Sequence, residues 1–266
     1  GILEYKGNIP LYDYQKEAVE ALRKSSCGIL QSPCGSGKTQ MGIALAVMLE
    51  RKTLWVTHTQ DLLTQSKARA EQYLPEESLG TITAGKVRIG SHVTFATVQT
   101  LSKLDLTQYR NTWDVVIVDE CHRLAGSPTQ VTMFYKVMNN LAARYKYGLS
   151  ATVHRSDGMI KSTFAVLGPI IYRVPDEAVA DKTMQVRIVP RDTGIAVSRG
   201  CLDTDGTLDY HELLSYLGDN QERNELIVRD MVSQSGHSCL VLASRLEQLR
   251  NIQKMLPEEL REVSAM

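Results

Sequence analysis

From residue 28 onward, short apolar and β-branched runs alternate with longer stretches whose apolar side chains recur three and four positions apart. The short runs predict strands at 28–31, 53–57, 93–97, 114–119, 146–150 and 170–174. The longer stretches predict helices at 39–50, 59–73 and 128–144. Such alternation builds βαβ units, whose right-handed crossovers bury a parallel sheet on both faces. The predicted fold class is α/β with a parallel sheet.

After Val174 the pattern changes. Pro175, Asp176, Glu177, Asp181 and Lys182 read as part of a linker over 176–183, between a first domain at 1–175 and a second at 184–266. The second is predicted to run as strand 184–189, a loop with Gly194, Gly200 and Gly206, a long helix 210–234, strand 239–243, helix 245–256 and strand 261–265. Three strands are fewer than the ~5 to 6 of an ordinary sheet, so this domain reads as incomplete.

Candidate chemistry begins at the end of the first predicted strand. Ser32-Pro33-Cys34-Gly35-Ser36-Gly37-Lys38-Thr39 follows that strand and opens a helix, the context in which a phosphate-binding loop is credible. Its glycines let backbone N–H groups turn inward around phosphates, and the helix N-terminus adds its positive end. Lys38 is then expected to pair with the β and γ phosphates of ATP and the Thr39 hydroxyl to ligate Mg²⁺. Ser32 stands where the pattern usually has its first glycine. The bland alternative is a glycine-rich turn with a surface lysine.

A second signal lies about eighty residues downstream, where the apolar run Val115-Val116-Ile117-Val118 ends in Asp119-Glu120-Cys121-His122. The C-terminal ends of parallel strands form the ligand crevice. Asp119 is therefore expected to hold Mg²⁺ through a water, and Glu120 to orient or deprotonate the water attacking the γ phosphate. The expected reaction is ATP hydrolysis rather than phosphoryl transfer to an alcohol.

Composition narrows the partners. Lys plus Arg and Asp plus Glu number 30 each in 266 residues, so no bulk field attracts a phosphate backbone, and a nucleic-acid role must rest on motifs. No run approaches the ~20 apolar residues of a membrane span, and no signal segment is evident, so a soluble cytoplasmic protein is expected. Cys27, Cys34, Cys121, Cys201 and Cys239 are scattered without metal-ligand spacing, which favours reduced thiols over a zinc site. Gly1 at the start and the position of Met266 point to a piece of a longer chain.

Asp119-Glu120-Cys121-His122 resembles the DExH box of superfamily 2 helicases, and Ser150-Ala151-Thr152 resembles their motif III. Gly148 through Gly158, with Arg155-Ser156-Asp157-Gly158 after motif III, resembles the XPB-like and phage recombination-helicase branch. The likeness runs from Leu11 to about Leu256 and implies a RecA-like ATP-binding domain followed by part of a second. It implies that Gln15, in Leu11-Tyr12-Asp13-Tyr14-Gln15, reads adenine. Val56-Thr57-His58-Thr59 with Gln65 is similar to motif Ia, and Ala96 to Leu101 to the next backbone-gripping segment, which implies strand contacts at Thr57, His58, Thr97 and Gln99. His122, Ser150 and Thr152 would couple the γ-phosphate site to the strand-binding surface. Cys239 to Arg245 is similar to motif IV.

The resemblance implies an ATP-dependent DNA helicase or translocase core using Mg²⁺, a monomer, with DNA favoured over RNA as partner. No Gln-x-x-Gly-Arg-x-x-Arg pattern follows Arg245. The family's arginine finger would then lie in a missing C-terminal helicase portion, and weak ATPase is expected of these residues alone. An RNA helicase, a motor subunit of a restriction or recombination complex, and a nucleotide-binding regulatory module stay open. Residues 201–212 imitate a calcium-binding EF-hand loop, but Cys201 occupies its first ligand position, and an acidic turn capping the helix at Tyr210 is preferred.

Overall fold

The computed structural model describes residues 8–125, 127–151, 160–181 and 187–264. The chain divides into two compact units, Gly1–Val186 and Arg187–Met266.

The first unit is built on eight strands: β1 (Cys27–Gln31), β2 (Thr53–Thr57), β3 (Leu79–Thr83), β4 (Lys86–Arg88), β5 (Val93–Thr97), β6 (Val115–Val118), β7 (Tyr145–Ser150) and β8 (Ile170–Arg173). They lie in the order β4-β3-β5-β2-β6-β7-β1-β8. The pairings are parallel except for β3 with β4. Between them run helices α1 (Asp13–Arg23), α2 (Lys38–Leu49), α3 (Gln60–Glu71), α4 (Val98–Lys103), α5 (Pro128–Asn140), α6 (Ile160–Leu167) and α7 (Asp176–Val179).

Side chains alternate between two cores, as the pleat requires. From β2 and β6, Trp55, Val115 and Ile117 pack with Ala18, Leu22, Met41, Leu45 and Leu63 of α1, α2 and α3. Leu54, Val56, Val116 and Val118 pack on the other face with Leu101, Phe134, Val137 and Leu167 of α4, α5 and α6. Burial on both faces is why these strands read as continuous apolar runs. Each fully buried aliphatic side chain contributes about 1.5–3 kcal/mol. At Gly42, α2 comes so close to the sheet that a Cβ would stand 2.6 Å from the Trp55 ring and 2.7 Å from Leu149.

All strands but β3 and β4 fall on predicted runs. That edge hairpin turns through Ala84-Gly85, pairs Thr83 with Lys86, and leaves β4 exposed. β4 has only three residues, all exposed, and in β3 the buried Leu79 and Ile82 are separated by Gly80 and Thr81, which breaks the apolar run. Within the predicted linker, α7 forms and Val179 packs into the core beside Val174.

The second unit differs from expectation. Its helices are α8 (Tyr210–Asp219), α9 (Gln221–Ser233), α10 (Leu246–Met255) and α11 (Glu258–Glu262), and no strand longer than a single bridge occurs among its described residues. The predicted long helix breaks at Asn220, whose side chain caps α9 by accepting from Arg223 N. The run 239–243 is not a strand, and Leu240 and Leu242 are each 84% exposed. A lone strand has no ladder for its backbone donors and acceptors, so apolar composition cannot make one. Residues 258–262 are helical where a strand was predicted to begin at 261. Residues 187–189 are irregular, and the rest of predicted strand 184–189 lies outside the described residues.

The unit is pinned by polar contacts: buried Asn224 donates to Gly218 O at 2.9 Å and accepts from Gln248 Nε2 at 3.1 Å. At the EF-hand-like turn, Asp209 caps α8 by accepting from His211 N and Glu212 N, and Asp205 accepts from Thr207. The acidic groups are used in local turns. No helix among the described residues is long and apolar enough to cross a membrane.

Candidate functional site

Strands β1, β2, β5, β6 and β7 run parallel, so the residues that follow them meet at one edge of the sheet. There Gly35, Gly37, Lys38, Thr39 and Gln40 face Asp119 and Glu120 across a cavity of about 290 Å³. The structure thus brings together the loop and the acidic pair, about eighty residues apart in the chain.

The loop is held in shape by its glycine conformations and by hydrogen bonds from Ser32, Tyr14 and Gln15. Gly35 and Gly37 have φ of 78° and 81°, the left-handed region that glycine enters freely. Ser32 N donates to Ser150 O at 2.9 Å, and Ser32 Oγ donates to Ser36 Oγ at 2.5 Å, so the serine in the usual glycine position braces the turn. Ser36 O accepts from both Tyr14 Oη and Gln15 Nε2, each at 2.9 Å. Gln15 also accepts from Tyr12 N at 2.9 Å and is only 3% exposed. Both of its amide atoms therefore work on the chain itself, fastening α1 to the phosphate loop. Cys34 lies exposed on the loop, and Tyr12 stacks on Tyr14 at 5.8 Å.

Lys38 is nearly buried, yet loosely held. Its Nζ stands 3.4 Å from Ser32 O, 3.5 Å from Pro33 O and 3.5 Å from Glu120 Oε1, long for hydrogen bonds. Glu120 has φ 47°, an uncommon conformation for a residue with a side chain. Its buried Oε2 accepts no hydrogen bond among the described residues and lies 3.3 Å from His122 Nδ1. The same ring nitrogen stands 2.9 Å from Ser150 Oγ.

Asp119 is the most buried acid of the site, at 3% exposure. Its Oδ1 accepts from Glu120 N at 3.0 Å and its Oδ2 from Ser66 Oγ at 3.1 Å. Burial, followed by the adjacent Glu120 charge, raises its pKa to about 6, with the Ser66 bond and Lys38 opposing. An orphaned carboxylate oxygen, a raised carboxyl pKa and one loosely tied ammonium leave the site short of positive charge. Its oxygen donors suit a hard divalent cation such as Mg²⁺. Among the described residues, no group of three or more His, Cys, Asp or Glu side chains is arranged to hold a metal.

The predicted nucleic-acid residues lie along the same edge. Thr57 is fully buried and donates to Thr59 O at 3.0 Å, while Thr97 caps α4 by accepting from Thr100 N. Gln99 Nε2 donates to His58 O at 2.9 Å, tying the two predicted segments together. Burial lowers the His58 pKa, and Arg123 lowers it further. His58 lines a second cavity with Cys34, Thr59, Glu120, His122 and Arg123. Thr152, Arg155, Asp157 and Gly158 lie outside the described residues.

One wall of the cavity beside Lys38 comes from α3 through Leu62, Gln65, Ser66 and Arg69. Sequence reasoning noted Gln65 but missed Ser66 and Arg69. Ser66 stands four residues after Leu62 and Arg69 four after Gln65, the available signal, since that spacing places them on one helix face.

A phosphate loop and an acidic pair at the C-terminal edge of a doubly wound sheet define the class as a RecA-like P-loop nucleotide-binding protein. The chain belongs to the family described as "Type III restriction enzyme, res subunit", which matches residues 8–155. It is an XPB-like member of the superfamily 2 helicases. It is 34% identical over 187 residues to the DNA 3'-5' translocase XPB2 of Sulfurisphaera tokodaii, covering 66% of this chain and 38% of that protein. It is 28% identical over 263 residues to the DNA 3'-5' helicase XPB of Kineococcus radiotolerans, covering 91% of this chain and 44% of that protein. The UvsW helicase of Bacteriophage T4 shares the fold with a TM-score of 0.52 and 22% identity, over 65% of this chain and 63% of that one. The chain thus spans less than half the length of these two curated relatives.

Proposed function

We propose that this chain forms the ATP-binding core of a DNA translocase or helicase. The observation that carries the reading is the single cavity lined by Lys38, Thr39, Asp119 and Glu120. Family membership and the names of the two DNA-acting relatives support the choice of partner.

In this reading the backbone N–H groups of Gly35 to Thr39 cradle the phosphates, and Lys38 turns from the loop carbonyls to pair with them. Thr39 and Asp119 would hold Mg²⁺. Mg²⁺·ATP, when bound, supplies the anhydride bond whose hydrolysis drives movement. Glu120, whose Oε2 accepts no hydrogen bond among the described residues, orients the attacking water and accepts its proton. Gln15 and Tyr14 hold the loop through Ser36, and adenine recognition falls to what Gln15 has left and to the exposed Tyr12 ring.

His122 and Ser150 carry the γ-phosphate state outward, because Ser150 touches the phosphate loop through its carbonyl and His122 through its hydroxyl. Thr57, Thr97 and Gln99 shape the strand-holding edge from within, and the backbone they fix, with His58, meets the nucleic acid. Residues 184–266 are proposed to begin the second RecA-like domain.

The test is phosphate release by the protein with and without duplex DNA, single-stranded DNA and RNA. Stimulation by DNA above RNA is expected, with slow turnover by the 266 residues alone. Equal rates with and without any nucleic acid would remove the motor reading.

A further inference from the structure

We propose that Ser66 is a positioning residue for the metal-holding carboxylate, a role that rests on the nucleotide-site reading above and deepens it. Ser66 is buried on the cavity face of α3, and its hydroxyl donates to Asp119 Oδ2 at 3.1 Å across 53 residues of sequence. Asp119 Oδ1 is meanwhile held by Glu120 N at 3.0 Å. With one donor on each oxygen the carboxylate plane is fixed, leaving the remaining lone pairs directed at the cavity.

Position matters more here than charge. A carboxylate that reaches a cation through water must present its oxygen at the correct angle, and removing the group that orients a ligand typically lowers metal affinity by ~10-fold or more. The donor also comes from a telling place. Helix α3 is capped by Thr59, directly after the β2 edge, and Gln99 grips the backbone of His58 next to it. Ser66 therefore joins the carboxylate to the helix that begins at the proposed strand-holding segment.

The experiment compares wild type, Ser66→Ala, Ser66→Thr and Ser66→Cys by titrating Mg²⁺ against binding of a fluorescent non-hydrolysable ATP analogue, with a parallel series in EDTA. Ser66→Ala is expected to raise the half-saturating Mg²⁺ concentration about 10-fold, while the EDTA affinity stays at the wild-type value. Ser66→Thr, which keeps the hydroxyl, restores the Mg²⁺ response, and Ser66→Cys, a weak donor of similar size, falls between.

Wild-type Mg²⁺ dependence in Ser66→Ala overturns the proposal, as does a Ser66→Thr protein that is folded yet as impaired as Ser66→Ala. Should Ser66→Ala not fold, Ser66→Cys decides: an unchanged Mg²⁺ response overturns the proposal and a weakened one supports it. If wild type itself shows no Mg²⁺-dependent nucleotide binding, the nucleotide-site reading falls and this role with it; an intact wild-type response with insensitive variants removes the Ser66 role alone.

Discussion

Lys38 Nζ lies 3.5 Å from Glu120 Oε1, so the cation at the head of α2 and the acid beyond β6 face each other across the cavity they both line. The contact is long and the partners are unequally buried, which leaves each side chain able to turn toward a ligand.

Separate tasks for these two residues predict separable defects. Lys38→Ala is expected to abolish binding of an ATP analogue. Glu120→Gln should bind it normally but lower turnover by about 10²–10⁴, the usual worth of a positioned proton acceptor. Analogue binding and phosphate release measure the two effects, and undiminished turnover in Glu120→Gln would exclude it as the acceptor.

Asp119 makes stability depend on pH in an unusual direction. Its folded pKa, about 6, lies above the ordinary 3.8, so the folded chain holds this proton longer than the unfolded one. The group's contribution therefore falls as pH rises through that interval and stays low above it. The shift corresponds to a cost on the order of 3 kcal/mol at neutral pH. Asp119→Asn should flatten this part of the profile and melt at a higher temperature than wild type at pH 7 in nucleotide-free solution. Parallel melting profiles from pH 4 to 7.5 would show the burial cost to be absent.

The cysteines should separate by exposure. Cys34 and Cys239 are open to solvent, whereas Cys121 and Cys201 are buried, and burial pushes the Cys121 thiol upward. Maleimide labelling read by mass spectrometry is expected to modify Cys34 and Cys239 first, with Mg²⁺·ATP slowing Cys34 but not Cys239. Equal protection at both would place the nucleotide's effect elsewhere.

Close packing beneath the loop gives a prediction independent of nucleotide. Gly42→Ala puts a methyl within 2.6 Å of the Trp55 ring, a rigid neighbour inside the core. A loss of about 1–3 kcal/mol is expected from overpacking, measured by urea denaturation. A variant as stable as wild type would mean that α2 can lift from the sheet at little cost.

The amino-acid order alone determined whatever is local. Residues 32–39 must be contiguous to wrap a phosphate, and Asp119 and Glu120 must end an apolar strand, so both motifs were legible without coordinates. The strands β1, β2, β5, β6, β7 and β8 fall on predicted runs, and β6, buried along its whole length, shows the unbroken apolar run that burial on both faces demands. Tertiary structure alone decided what depends on partners distant in sequence. Ser66 reaches Asp119, and Gln15 fastens Ser36, only because the folded sheet carries their helices to the same edge. The run 239–243 shows the converse: its side chains favour a strand, but a strand exists only where a neighbour accepts its backbone hydrogen bonds.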